Sequence, residues 1–237
     1  MFTSEHTSKQ FDADLEDIRS RVLQMGGLVE IQLMAAIEGL STGGDEVINR
    51  VIDTERRVND YEKEIDDACV HVVARRQPAA SDLRLIMSVS KIVTDLERIG
   101  DEAEKIARMA RSIYGRGALT IPRSIDVRQT GNKAALMLRR VLDAMARLDA
   151  AEAENVIAEG RLIDTEFRAI MRQLITHMME DPRTITTALD IVWIAKAIER
   201  VGDHAENIAE QVIYVVRGID VRHTGGVPAD VDGKEAS

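Results

Sequence analysis

The string Glu97-Arg-Ile-Gly-Asp101-Glu-Ala-Glu-Lys-Ile-Ala107 returns 102 residues later as Glu199-Arg-Val-Gly-Asp203-His-Ala-Glu-Asn-Ile-Ala209, with eight of eleven positions identical. A return across half the chain means an internal duplication, so the fold is built from two copies of one unit. Around the string, apolar residues fall at Ile92, Leu96, Ile99, Ala103, Ile106, Ala110 and Ile113. In the second copy they fall at Ile194, Ile198, Val201, Ala205, Ile208, Val212 and Val215. Both series step four-three, the seam of antiparallel packed helices. Glu97, Asp101 and Glu104 step i, i+4, i+7, as do Glu199, Asp203 and Glu206, so each set forms an acidic stripe flanking the seam.

The four prolines (Pro78, Pro122, Pro182 and Pro228) are widely spaced, and long proline-free segments lie between them. No strand pattern and no Gly-rich phosphate loop interrupts them. The sequence predicts an all-α chain of two tandem three-helix bundles with pseudo-twofold symmetry. Residues 9–115 make the first unit, 123–217 the second, and 218–237 a mobile C-terminal tail. The expected helices span about 11–40, 45–76, 81–114, 124–148, 151–180 and 183–217, after a loose leader at 1–8. Gly26-Gly27 weakens the middle of the first, and Ser81 or Asp82 is placed to cap the third. Neither Gly nor Pro marks the break between the fourth and fifth helices. Gly115–Pro122 reads as the inter-repeat linker.

A net charge of −10 argues against general nucleic-acid binding. The single cysteine, Cys69, excludes a disulfide framework and points to a reducing compartment. No signal peptide and no apolar run of about 20 residues is present, so the expectation is a cytoplasmic protein without direct membrane insertion.

Carboxylates from facing helices can hold hard cations. The acids of the motif project from one helix face, and the second helix offers Glu55, Asn59 and Glu62 at the same spacing. Aligning the halves sets Gly160, Asp164 and Phe167 opposite these three, so an oxygen donor is missing in the second repeat and its site should bind fewer ions. The expected metal residues are Glu55, Asn59, Glu97, Asp101, Asp164, Glu199 and Asp203. Gly100 and Gly202 cost a helix interior about 1 kcal/mol each relative to Ala, and they sit inside the repeated motif. The competing reading pairs the acids with Arg98, Arg200, Lys105 or Arg108 on a solvated face. No histidine has a glutamate three residues before it, so di-iron oxygen chemistry is unsupported. His71 and His177 read as structural. Trp193 aligns with Lys91, and an indole where lysine is tolerated suggests a dimer contact, a partner site, or cover by another part of the chain.

With the duplicated motif stands Arg75-Arg-Gln-Pro-Ala-Ala-Ser-Asp-Leu-Arg84 at the turn into the third helix, Val58-Asn59 in the second, and Asp220-Val-Arg-His-Thr-Gly-Gly226 in the tail. In these segments the chain resembles the PhoU family of bacterial phosphate-signalling regulators. The resemblance implies two three-helix bundles, often as a homodimer, with metal ions (iron, manganese, zinc or magnesium) in clusters at the paired acidic motifs. It also implies a cytosolic negative regulator of phosphate uptake and of the phosphate-starvation response. Such a regulator links the ATPase subunit of the phosphate ABC transporter to a sensor histidine kinase. Gly160 departs from the family's acid. The alternative is a metal-dependent phosphoester or polyphosphate hydrolase. Catalysis would need an open metal position and a tuned base, and no histidine or lysine is repeated beside the acids. The sequence therefore favours an adaptor that is not an enzyme.

Overall fold

A computed structural model describes residues 3–76, 78, 80–116 and 126–222, with side chains from Phe11 onward, Arg76 excepted. These residues form six long helices and one short turn of 3-10 helix, with no strand among them. The helices are α1 (Thr3–Thr42), α2 (Asp45–Arg76), α3 (Ala80–Gly115), α4 (Val127–Arg147), α5 (Ala150–Glu180) and α6 (Ile185–Arg217). Helices α1–α3 pack on one another, as do α4–α6, and the two bundles meet along α3 against α6 and α1 against α4. This is the expected pair of three-helix bundles. At 1.5 Å per residue, α3 is about 54 Å long.

Both four-three seams are core. Every named residue of the first is at most 3 % exposed, and in the second only Val215 escapes full burial. The buried residues form one hydrophobic cluster that runs through both bundles. At its mid-plane a buried polar layer ties α3 to α6. Asp95 Oδ1 accepts from His204 Nδ1 at 2.9 Å and Asn207 Nδ2 at 3.2 Å. Glu102 Oε1 accepts from Arg200 Nη1 at 3.0 Å.

Two boundaries differ from the sequence reading. The leader is not loose from residue 3, because α1 begins at Thr3. As expected, α1 runs unbroken through Gly26, whose missing side chain makes room for Leu142 of α4. Ser81 and Asp82 lie inside α3 rather than before it. The α4–α5 break is made without Gly or Pro. Leu148 takes the left-handed conformation (φ 53°) that closes α4, and Asp149 caps α5 by accepting from the Glu152 N–H at 3.0 Å. Most of the expected linker, from residue 117, lies outside the described residues. After α6, Gly218 (φ 72°) turns the chain back and buries Val221, while residues 223–237 of the expected tail lie outside the described residues.

Candidate metal centre

The first acidic stripe faces α2. Glu55, on α2, is 5 % exposed and is held by Gln32 of α1, whose Nε2 donates to Glu55 Oε2 at 2.7 Å. The same amide nitrogen lies 3.3 Å from the Val51 and Gly100 carbonyl oxygens. Gly100 is required here: a Cβ on it would stand 2.7 Å from Glu55 Oε2 and 3.1 Å from Gln32 Oε1. The glycine of the motif thus makes space for a buried carboxylate from the neighbouring helix. Glu55 Oε1 has no hydrogen-bond partner.

Oxygens of Glu55, Glu97 and Asp101 converge within 4.8 Å of one another, the only such group of three among the described residues. Burial pushes the Glu55 carboxyl up to about 7, and the charges of Asp101, Glu104 and Glu97 add to the shift. Glu97 is raised by burial and by Asp101 and Glu62, and Glu62 by burial and by Asp66 and Asp101. The nearby cations turn elsewhere: Arg98 towards Asp95, Lys105 to Glu102, Arg108 to Glu104. Asn59 sits one turn beyond Glu55 on α2, half-buried. An all-oxygen set with one orphaned buried carboxylate oxygen fits a hard cation, which would supply the missing partner and offset the mutual repulsion. Glu55, Glu97 and Asp101 would hold it.

The second repeat is built differently. Glu199 forms an ion pair with Lys196 on its own helix. Desolvation and the charges of Glu199 and Asp164 raise Asp203, although its surface is exposed, and these three acids lack the tight convergence of the first repeat. The glycine at 160 is not a simple loss of a donor. The Glu206 carboxylate of α6 occupies the space its side chain would need. Burial, then Asp203, Asp164 and Glu210, pushes Glu206 up to about 7. Gly202, the counterpart of Gly100, meets only Ile163 carbons at 3.4 Å and beyond.

The sequence reading missed Gln32 and the role of Glu206. Gln32 was visible as a lone amide in the apolar run Val29-Leu33-Ala36. Glu206 belonged to the acidic stripe, and Gly160 was the signal that something larger reaches across. Trp193 is 64 % exposed, so no other described part of the chain covers it. With Ile185 and Leu189 it lies on one face of α6 at four-residue spacing, both also exposed.

Six helices in two copies, with acids of α2 and α3 gathered at one face, define a duplicated all-helical bundle protein. The PhoU domain family matches residues 22–110 and 127–212. The chain belongs to the PhoU family. It is 49 % identical to the phosphate-specific transport system accessory protein PhoU homolog of Pseudomonas aeruginosa, over 93 % of this chain and 90 % of that one. It is 44 % identical to the PhoU accessory protein of Escherichia coli K12, over 96 % and 93 %. The crystal structure of PhoU from P. aeruginosa superposes with a TM-score of 0.85 at 47 % identity, covering 88 % of this chain and all of that one. The phosphate transport system regulatory protein PhoU from Streptococcus pneumoniae gives 0.81 at 26 % identity, covering 89 % and 99 %.

Proposed function

We propose that this chain is a cytoplasmic negative regulator of phosphate uptake and of the phosphate-starvation response, acting by binding rather than by turnover. It joins the ATPase subunit of the phosphate transporter to a phosphate-sensing histidine kinase, and works as a homodimer. The relatives' names as accessory and regulatory proteins of phosphate transport support this reading. No described helix is long and apolar enough to cross a membrane, which fits a partner that works through other proteins.

The observation that carries the metal part is the orphaned Glu55 Oε1 inside the Glu55–Glu97–Asp101 group. Its ligands are Glu55, Glu97 and Asp101 with Asn59 beside them. A weaker second site uses Asp164, Glu199 and Asp203. The carboxyl at about 7 would suit a general base, but Glu55 is only 5 % exposed, which does not suit contact with a substrate. That favours a structural or sensing ion over hydrolysis. The exposed Trp193 face is the surface for a partner or for the second subunit.

Elemental analysis of protein purified without chelator tests the ion. Glu97→Ala with Asp101→Ala should lower the bound metal, and unchanged stoichiometry would place the site elsewhere. A column carrying the purified transporter ATPase or the kinase's cytosolic portion should retain the chain. Loss of the gene should switch on starvation genes in plentiful phosphate. Multiple-turnover hydrolysis of a phosphoester, abolished by Asp101→Ala, would replace this reading with a metalloenzyme.

A further inference from the structure

An open cleft of about 380 Å³ lies between α3 and α6, and none of Glu55, Glu97 or Asp101 lines it. It brings together three cations (Lys91, Arg98 and Arg222), two carboxylates (Asp95 and Glu210) and the amide of Gln211. The duplication does not account for it. The positions matching Lys91 and Asp95 in the second repeat hold Trp193 and Ala197. Arg222 comes from beyond the helices. Gly218 turns the chain back in the left-handed region, Arg84 packs into the space beside Gly218, and Val221 anchors the segment at 4 % exposure.

The cations are underused. Arg98 reaches Asp95 only at 3.9 Å, beyond hydrogen-bonding distance. Lys91 meets Asp220 through space, and Arg222 engages Asp220 of its own segment through both Nε and Nη2, which leaves its Nη1 for a further acceptor. The acceptors are underused as well. Every contact that Asp95 makes to His204, Asn207 and Arg98 ends on Oδ1, leaving Oδ2. Gln211 is 4 % exposed and its Oε1 has no hydrogen-bond partner. A ligand that satisfies both halves must be an anion with several oxygens for three cations, and must also carry a proton to donate.

We propose that this cleft binds inorganic hydrogenphosphate. Its charged oxygens meet Lys91, Arg98 and Arg222, and its remaining P–OH donates to the acceptors of Asp95, Glu210 or Gln211. Sulfate has the same shape but no proton at neutral pH, so it leaves Asp95 Oδ2 and Gln211 Oε1 unmet and faces two carboxylates. A phosphomonoester dianion lacks the P–OH in the same way. Sites that hydrogen-bond a hydroxyl reject analogues without it by large factors. This inference goes beyond the regulator reading and does not depend on the metal centre.

The test is calorimetric titration of the full-length, chelator-treated chain at neutral pH and low salt. Inorganic phosphate, sulfate, glycerol phosphate and glutamine are the four ligands. Phosphate should bind at least tenfold more tightly than each of the others. Lys91→Ala with Arg98→Ala should weaken it at least tenfold while the thermal melt is retained. Glu210→Gln should narrow the gap between phosphate and sulfate, and Glu97→Ala with Asp101→Ala should leave phosphate binding unchanged. Four results overturn the proposal: no heat with millimolar phosphate, equal binding of sulfate or glycerol phosphate, preference for glutamine, or an undiminished response in the Lys91/Arg98 variant. Loss of binding in the Glu97/Asp101 variant instead would assign phosphate to the acidic centre and also overturn it. The first four outcomes are independent of metal at the acidic centre.

Discussion

The carboxylate of Glu206 on α6 stands where a side chain on Gly160 of α5 would have to be. The repeats therefore bring an acid to the same place from different helices: the buried Glu55 from α2 in the first, the half-buried Glu206 from α6 in the second. Both carboxyls end near 7 because both are taken out of water beside other acids. Gly160→Ala should expel Glu206 to solvent. Its pKa should fall towards the ordinary 4.5 when followed by NMR titration. The thermal midpoint at pH 8 should hold or rise, because alanine adds up to about 1 kcal/mol of helix propensity. A Glu206 that still titrates near 7 in the variant would contradict this geometry.

Raised carboxyl pKa values set the sign of the pH dependence. Between 4.5 and about 7 the folded chain binds protons at Glu55 and Glu206 that the unfolded chain has already lost. Their contribution to stability is present in full below 4.5 and is lost as pH rises through 7. For Glu55 the difference is on the order of 3 kcal/mol, and for the more accessible Glu206 it is less. Chelator-treated protein should thus show a lower urea midpoint at pH 8 than at pH 5.5. Adding the metal that the protein carries on purification should recover part of the loss, since an ion that binds only the folded state stabilises it. A midpoint that rises steadily to pH 8 without metal would refute the assignment.

Gly100 and Gly202 hold the same place in the motif but should respond in opposite ways. Gly100→Ala drives a methyl against Glu55 Oε2 and Gln32 Oε1 in a sealed polar layer. The displacement costs about 1–3 kcal/mol, more than the helix propensity gained, and should weaken metal uptake. Gly202→Ala adds a methyl at ordinary contact distance from Ile163, so it should be neutral or stabilising by up to about 1 kcal/mol. Denaturant midpoints of the two variants, measured side by side, decide the matter.

Trp193 is the chain's only tryptophan, and most of its surface is open to water. Trp193→Ala should change stability by no more than about 0.5 kcal/mol. In the wild-type chain its emission should shift to the blue when the partner, or a second copy at higher concentration, covers it. Retention on the transporter ATPase or kinase column, or dimerisation by sedimentation, should weaken in the variant. Unshifted emission in a demonstrated complex would remove Trp193 from that interface.

The architecture was legible because it rests on periodicity. The Ile92–Ile113 seam and its copy carry the core, and nothing tertiary overrides them. The α4–α5 break was the least defined in the sequence, since Leu148 adopts a left-handed conformation for which leucine carries no signature. The start of α1 was misread because a polar, acidic stretch looked like a leader. Glu55, Glu97 and Asp101 could be placed on facing helices from spacing alone. Two contacts could not. Gln32 reaches Glu55 from a third helix, and Glu206 fills a void at Gly160. Both depend on how one helix is rotated against another, which a one-dimensional pattern does not encode.

The polar layer between α3 and α6 has a meaning for the ancestry of the chain. Asp95 answers to His204, and Glu102 to Arg200, each pair crossing from one repeat to the other. Under the pseudo-twofold relation, position 95 corresponds to Ala197 and position 204 to Glu102. A homodimer of the first half would therefore set Asp95 against Glu102, acid facing acid, and would keep only the second pair, with Arg98 in the place of Arg200. A homodimer of the second would set Arg200 against His204, with alanine in the acceptor's place. Neither homodimer would reproduce both pairs, so at this layer the two copies have become complementary.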